Sequence, residues 1–245
     1  MSAPGAAIAA QLRVVDAERQ RRIEVPGLHE RVTGLKAFQQ RRFSHTYADL
    51  LASARYGPAA RYFLAELYGP GDFTTRDAQF ARVAPAIARL FPDQVAETVA
   101  ILAELHALSE TLDTDTALHL PDGPVAPLDY VRAWHAAGRA PDREHQIELT
   151  LRIAAQLDRI TRMPMLRNAL RLMRRPARAA GLWELQRSLE TGFDVFRDMK
   201  GAQEFIDLIG ARERALAAAL FAAGGDESSL DRALAGLAPT EAKPG

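Results

Sequence analysis

The chain has 245 residues, 48% of them hydrophobic and 25% charged, and its 31 basic residues balance its 31 acidic ones. This composition is typical of a soluble globular protein, and the zero net charge indicates no particular partner. The absence of cysteine excludes disulfides, thiolate metal ligands and a cysteine nucleophile. The N-terminal sequence has no basic segment before a long apolar core, and no apolar run approaches the ~20 residues of a membrane helix, so we predict a cytoplasmic protein.

The first part of the chain shows helical periodicity that proline and glycine interrupt. Ala6 to Val25 is predicted to form a first helix, which ends at Pro26-Gly27. Leu28 to Ala54 is predicted to form one long helix, because apolar residues recur along it at helical spacing. A shorter helix then leads to Gly69-Pro70, and another is predicted from Thr74 to Phe91.

The turn between those last two helices has the residue types that a tight corner needs. Glycine can close a helix in the left-handed conformation, and proline cannot continue one. Thr74 and Asp77 have the spacing of a capping box, in which each side chain bonds the other residue's backbone N–H. We therefore predict a structural turn, and a binding loop on Tyr68, Asp72 and Arg76 is the alternative. The turn comprises Tyr68, Gly69, Pro70, Asp72, Thr74 and Asp77.

The same stretch carries a resemblance to a known family. FLAELYGPGDFTTRDAQFARV has a Phe-Leu-x-x-Leu-Tyr-Gly-Pro-x-Asp-Phe run followed by Arg-Asp. It resembles a family of uncharacterised bacterial proteins, and the similarity extends through ELHALSETLD, LRNALRLMRRPARAAGL and LETGFDVFRDMKGAQEF. The resemblance implies a shared helical fold over most of the chain and no assigned catalytic residue.

The longest predicted helix, at about 93–118, is our candidate for a central helix, because ~40 Å is close to the width of a domain of this size. A proline-rich connector at 119–128 follows it. Pro164 and Pro176 are predicted to delimit one of the later helices. The other later helices are predicted at 128–137, 141–161, 182–199 and 205–221.

The fold prediction is all-α, an irregular bundle of roughly eight to ten helices around the central helix. No stretch shows strand alternation and no fixed repeat occurs. We predict one helical domain over 1–222, with 119–128 as a candidate division, and a flexible C-terminal tail over 223–245 that contains one short helix at 229–237. The sequence has no P-loop, dinucleotide-binding, nucleophile-elbow or HExxH motif and no paired ExxH motifs, so it indicates no enzyme class.

Charge is segregated along the chain. Residues 93–129 hold eight acidic residues and no Lys or Arg, whereas residues 159–178 hold seven arginines and no acid. Such a basic amphipathic helix can bind phosphate-rich surfaces, anionic lipid or an acidic partner, and the alternative is a solvated face or pairing with the acidic segment of the same chain. The candidate partner-binding residues, nearly all on one helix face, are Arg167, Arg171, Arg174, Arg175 and Arg178.

A second candidate site is a polar strip on the central helix. His106, Glu110 and Asp113 fall on one face, and Asp158 is in register with apolar residues of a predicted buried helix. A buried carboxylate needs a partner, so one prediction is a structural network of these side chains. The other is a pocket that binds a metal or a haem, or that catalyses a reaction by acid–base chemistry. The sequence does not decide whether the protein is an enzyme. Our main hypothesis is a non-enzymatic interaction protein, and the ligand pocket is the alternative.

Overall fold

Helices form all the regular structure of the described residues. A computed structural model of the protein describes residues 3–66, 79–80, 82–83, 93–223, 233–235 and 237. Across these ranges there are no strands, which confirms the all-α prediction. The helices are α1 (Ala3–Glu24), α2 (Leu28–Thr46), α3 (Ala48–Ala52), α4 (Gly57–Glu66), α5 (Asp93–Ala117), α6 (Pro127–Ala137), α7 (Ala140–Ile160), α8 (Pro164–Ala179), α9 (Trp183–Asp198) and α10 (Gln203–Ala222).

Three predicted helix ends coincide with left-handed glycines. Gly27, Gly138 and Gly181 have φ angles of 73°, 66° and 69°. This conformation suits glycine because it has no Cβ. Pro176, in contrast, does not end a helix as we predicted, because α8 continues through it to Ala179. Pro176 is exposed, so water can satisfy the carbonyl oxygen that a helical proline leaves without a donor.

The predicted long helix over 28–54 is in fact two helices. Helix α2 ends at Thr46, and α3 begins at Ala48. Between them Tyr47 has φ −115°, and its fully buried side chain donates a hydrogen bond from Oη to Glu213 Oε1 at 2.6 Å. The break thus places a tyrosine hydroxyl against a carboxylate of α10.

Helix α5 is the central helix of the bundle, as predicted. It packs against α1, α2, α6 and α7. Its buried residues include Ala96, Ala103 and Ala107, whose small side chains let neighbouring helices approach closely. Polar residues are buried on the same helix, among them Glu110 and Asp113. The central helix therefore also carries charge into the interior.

Two large apolar clusters share helices α2 and α10. The first includes Leu28 and Phe38 of α2 and Leu220 of α10, and the second includes Phe43 of α2 and Phe205 of α10. Three residues from the region predicted to be a flexible tail, Ala233, Leu234 and Leu237, also pack in the first cluster. The flexible tail and the division at 119–128 stay predictions.

Helices α8 and α9 form an antiparallel hairpin at the edge of the bundle. Helix α9 packs against α4 and α7, whereas the main contacts of α8 are with α9. At Gly192 of α9 the approach of α4 is close, since a Cβ there would lie 2.6 Å from Tyr62 Oη. The same hydroxyl donates to the Ser188 carbonyl oxygen at 3.2 Å. Helix α9 is thus anchored to the bundle and holds α8 at the periphery.

Candidate functional site

The five candidate arginines lie on α8, and three of them have partners on or next to α9. Arg174 makes a two-pronged ion pair with Glu190, with Nε 2.8 Å and Nη2 2.5 Å from carboxylate oxygens. Arg167 Nε lies 3.3 Å from Asp194 Oδ1. The guanidinium of Arg178 lies 4.5 Å from the ring centre of Trp183.

Arg171 and Arg175 differ from the other three. Both are exposed, and no carboxylate of the described ranges is within ion-pair distance of either. The hairpin segment 164–198 holds seven arginines and four acidic residues, a net charge of 7 − 4 = +3. The surface therefore keeps positive charge after its internal ion pairs are formed.

The Arg174–Glu190 ion pair shifts the pKa values of both residues. The hydrogen bond from Arg174 lowers the pKa of Glu190, and the nearby charge of Arg171 lowers it further. The same bond raises the pKa of Arg174. A cavity of about 10 Å³, roughly the volume that one water needs, lies beside the pair and has Arg167, Arg171 and Phe193 in its lining.

The acidic segment of the chain is not the internal partner of this face. Its carboxylates pair elsewhere: Glu104 with His145, Glu110 with Arg22 and Lys36, and Asp115 with Arg21 and Arg139. The competing interpretation from the sequence, pairing of the arginines with residues 93–129, is therefore wrong. Sequence reasoning missed Glu190 and Asp194. The sequence signal that could have found them is the turn at Gly181. A hairpin there brings α8 and α9 together, and with them the arginines of α8 and the acidic residues of α9.

A third side of α8 exposes apolar residues. Met165 is 84% exposed and Leu172 is 78% exposed, whereas Leu170 is half-buried and Ala177 is buried. Among the described residues, six of the nine exposed large hydrophobic side chains belong to the hairpin or to the residue just before it. They are Met163, Met165, Leu172, Met173, Trp183 and Leu189. Exposed apolar groups concentrated in one place are typical of an interaction surface.

The polar strip of α5 forms a buried charged network. Glu110 accepts from Lys36 Nζ at 2.6 Å and from two groups of Arg22. Burial raises the pKa of Glu110, but the charges of Lys36 and Arg22 outweigh it and bring the pKa down to about 2. Asp113 accepts from Gln39 Nε2 at 3.0 Å. These two carboxylates therefore join α5 to α1 and α2.

The other two residues of the candidate pocket have different environments. His106 is half-buried, and its charge contributes to the lowered pKa of Glu110. Asp158 accepts from Arg162 Nη2 at 2.6 Å and from the Ala202 backbone N–H at 3.1 Å, where α10 begins. The contacts of Asp158 are thus those of a helix cap. In the ranges that the structure describes, no cluster of three histidine or carboxylate residues has the spacing to hold a metal ion.

The predicted structural turn lies outside the described residues. This holds for Tyr68, Gly69, Pro70, Asp72, Thr74 and Asp77. Two described residues that follow the turn contact the hairpin. Gln79 Oε1 accepts from the Leu185 backbone N–H at 3.1 Å, and Arg82 Nη2 donates to the Ala180 carbonyl oxygen at 3.1 Å.

Comparison with known proteins gives a family and no activity. A family model described as a domain of unknown function, DUF8198, matches residues 18–227, and the chain belongs to that family. No curated protein and no solved structure matches the chain. In the part of the chain that the structure describes, no helix has the length and hydrophobicity needed to cross a membrane.

Proposed function

We propose that this member of the DUF8198 family is a non-enzymatic interaction protein, and that the arginine face of α8 binds the anionic oxygens of an acidic or phosphate-bearing partner. The observation that carries the proposal is the exposure of Arg171 and Arg175 beside ion pairs that α9 already satisfies. A guanidinium presents planar donors that match carboxylate and phosphate oxygens.

The paired arginines support this function in a different way. Glu190 and Asp194 hold Arg174 and Arg167 against α9, which limits the conformations of those side chains. Less entropy is then lost when a partner binds to the same face. On this face of α8, Arg171 and Arg175 are left with neither an ion pair nor an aromatic contact among the described residues.

The alternative function, a ligand, metal or haem pocket near His106 and Asp158, has less support. The carboxylate of Glu110 is occupied by Arg22 and Lys36, and that of Asp158 by Arg162 and a backbone N–H. Each of these groups already has the partner that burial requires. Their arrangement therefore supports a structural role better than a catalytic one.

The proposal is tested by binding of the full chain to two soluble polyanions, polyglutamate and inorganic polyphosphate. The parent protein is compared with the double variant Arg171→Gln/Arg175→Gln and with Arg132→Gln, which removes an exposed arginine from α6. We expect the parent to bind at least one polyanion, with an affinity that falls as salt rises. The double variant should bind about tenfold more weakly and with a smaller salt dependence, as expected for two lost ionic contacts.

Thermal melts of each variant accompany the titrations. Both arginines are exposed and outside ion-pair distance of the described carboxylates, so their replacement should change stability by less than ~0.5 kcal/mol. The proposal is wrong if the parent protein binds neither polyanion at low salt. It is also wrong if Arg132→Gln weakens binding as much as the double variant does.

A further inference from the structure

A line of exposed residues runs along α8 with the spacing of a helix-packing seam. The residues are Met165, Asn168, Leu172, Arg175 and Ala179, each exposed, with alternating intervals of three and four. These are the a and d positions of a heptad repeat. The residues opposite the seam, Leu170 and Ala177, turn toward the bundle. Helix α8 therefore packs inward with one side and presents a second packing seam outward.

Arginines flank this seam on one side. Arg171 and Arg178 precede Leu172 and Ala179 by one residue, which is the g position of the heptad. The other flank carries Ala169 and Pro176, which have no charge. In a pair of helices, residues at such flanking positions form ion pairs that select the partner.

We infer that α8 docks an amphipathic helix of a partner protein, with apolar residues at heptad spacing and carboxylates along one flank. The inference rests on the proposed function, and it names the chemistry of the partner. The apolar residues of the partner would cover Met165 and Leu172. Its carboxylates would pair with Arg171 and with Arg175, which lies within the seam.

Two other occupants fit this surface less well. A second copy of α8 would bring arginine against arginine, because the helix has no acidic residue of its own. A lipid bilayer would desolvate Asn168 and Arg175 in the middle of the apolar line and offer them no partner at acyl-chain depth. A partner helix can satisfy both with side chains of its own.

One methionine of the seam and the tryptophan beside it suit such a partner. Met165 is flexible and polarizable, so it adapts to the side chains of another helix. Trp183 is 43% exposed beneath Arg178 at the turn end of the hairpin. It provides an intrinsic fluorescence probe next to the seam.

The test uses two synthetic peptides of about three heptads with the same composition. The patterned peptide has Leu at a and d positions and Glu at the flanks, and the scrambled peptide has the same residues without the pattern. Each is titrated into the full chain and followed by tryptophan fluorescence, to which Trp134 and Trp183 both contribute, and by anisotropy of a peptide label. Vesicles containing phosphatidylglycerol are titrated in parallel.

We expect the patterned peptide to bind at least about tenfold more tightly than the scrambled one. Met165→Gln/Leu172→Gln should remove this difference, whereas Ile23→Gln, which changes an equally exposed residue of α1, should leave it unchanged. Arg171→Gln should weaken binding of the patterned peptide and reduce its salt dependence. Thermal melts verify that each variant folds.

Three results would overturn the inference, and they differ in what they say of the proposed function. Equal binding of both peptides through Arg171 and Arg175 would leave the arginine face as an anion-binding surface without a helix partner. Binding to vesicles that requires Leu172, without preference between the peptides, would identify a membrane surface instead. Absence of binding to peptides, vesicles and polyanions alike would overturn the inference and the proposed function together.

Discussion

Replacement of Glu110 by glutamine tests the buried network of the central helix. Glu110 is 6% exposed and lies between Arg22, which is also buried, and Lys36. The substitution keeps the shape of the side chain and removes its charge, so two cations lose their counter-charge in the interior. Breaking a buried ion pair by removing one partner costs ~3–5 kcal/mol.

The pKa of Glu110 gives a second estimate of the stability lost in Glu110→Gln. It is about 2 in the folded protein against an ordinary value of 4.5. At ~1.4 kcal/mol per pKa unit, the charged form of Glu110 stabilises the fold by ~3 kcal/mol at neutral pH. Because the folded pKa is depressed, this stability is present above about pH 4.5 and is lost as the pH falls toward 2.

The assay is urea unfolding of the parent and Glu110→Gln, followed by circular dichroism at two pH values. We expect the variant to be less stable by ~3 kcal/mol at neutral pH, and the gap to narrow by ~1.4 kcal/mol at about pH 3.5, one unit below the ordinary pKa. Glu97→Gln is the matched control, because it removes a carboxylate from an exposed position of the same helix. A loss below ~1 kcal/mol, or a gap that stays constant with pH, would refute the electrostatic explanation.

Three further predictions concern the elements that position the hairpin. Gly192→Ala should destabilise the protein by ~1–2 kcal/mol, because the new methyl group would clash with Tyr62 Oη. In a Tyr62→Leu background the clash is absent, so the same change should stabilise the protein through the higher helix propensity of alanine. A loss of similar size in both backgrounds, measured by thermal melts, would contradict the close contact. Asp158→Ala should cost ~1 kcal/mol through loss of the cap on Ala202, whereas Asp207→Ala, an exposed site on α10, should cost less. The hydrogen bond that His145 donates to Glu104 raises the pKa of His145, so this pair contributes its stability below pH 6.5, and the contribution is lost as the pH rises through the raised pKa. His145→Gln should therefore be destabilising by less than ~1 kcal/mol near pH 6 and neutral near pH 9, and an effect that grows with pH would show that another group dominates.

The sequence predicted the elements whose signals are local. Helix α5 was recognised to within one residue, because its periodicity and its start at Asp93 depend only on neighbouring residues. The helix ends at Gly27 and Gly138 are likewise predicted from a local signal, because each needs a residue in the left-handed conformation. Predictions failed where tertiary contacts decide. The break at Tyr47 places its hydroxyl against Glu213, which is distant in sequence, and the tolerance of Pro176 depends on its exposure.

The candidate site shows the same limit at the level of side chains. Helical spacing placed the five arginines on one face, but it could not identify their partners, because ion pairs between helices depend on how the helices cross. Arg174 therefore pairs with Glu190 instead of the more acidic segment at 93–129. His106 and Asp158, which lie on different helices, are grouped in the sequence analysis because a buried carboxylate needs a partner, and the contacts of Asp158 at the start of α10 give it a separate structural role.

Helix α8 lies at the edge of the bundle, and most of its described side chains are exposed. Among these described side chains only Ala177 is buried, and Leu166 and Leu170 are half-buried. Full burial of a leucine stabilises a fold by ~2 kcal/mol, and Leu172, at 78% exposure, provides little of that in the free protein. Folding alone does not account for an apolar residue there, or for Arg171 and Arg175 without ion-pair partners among the described residues. A partner that covers the seam would bury Leu172 and pair both arginines at once, and this is why we propose α8, rather than the paired network of α5, as the binding surface.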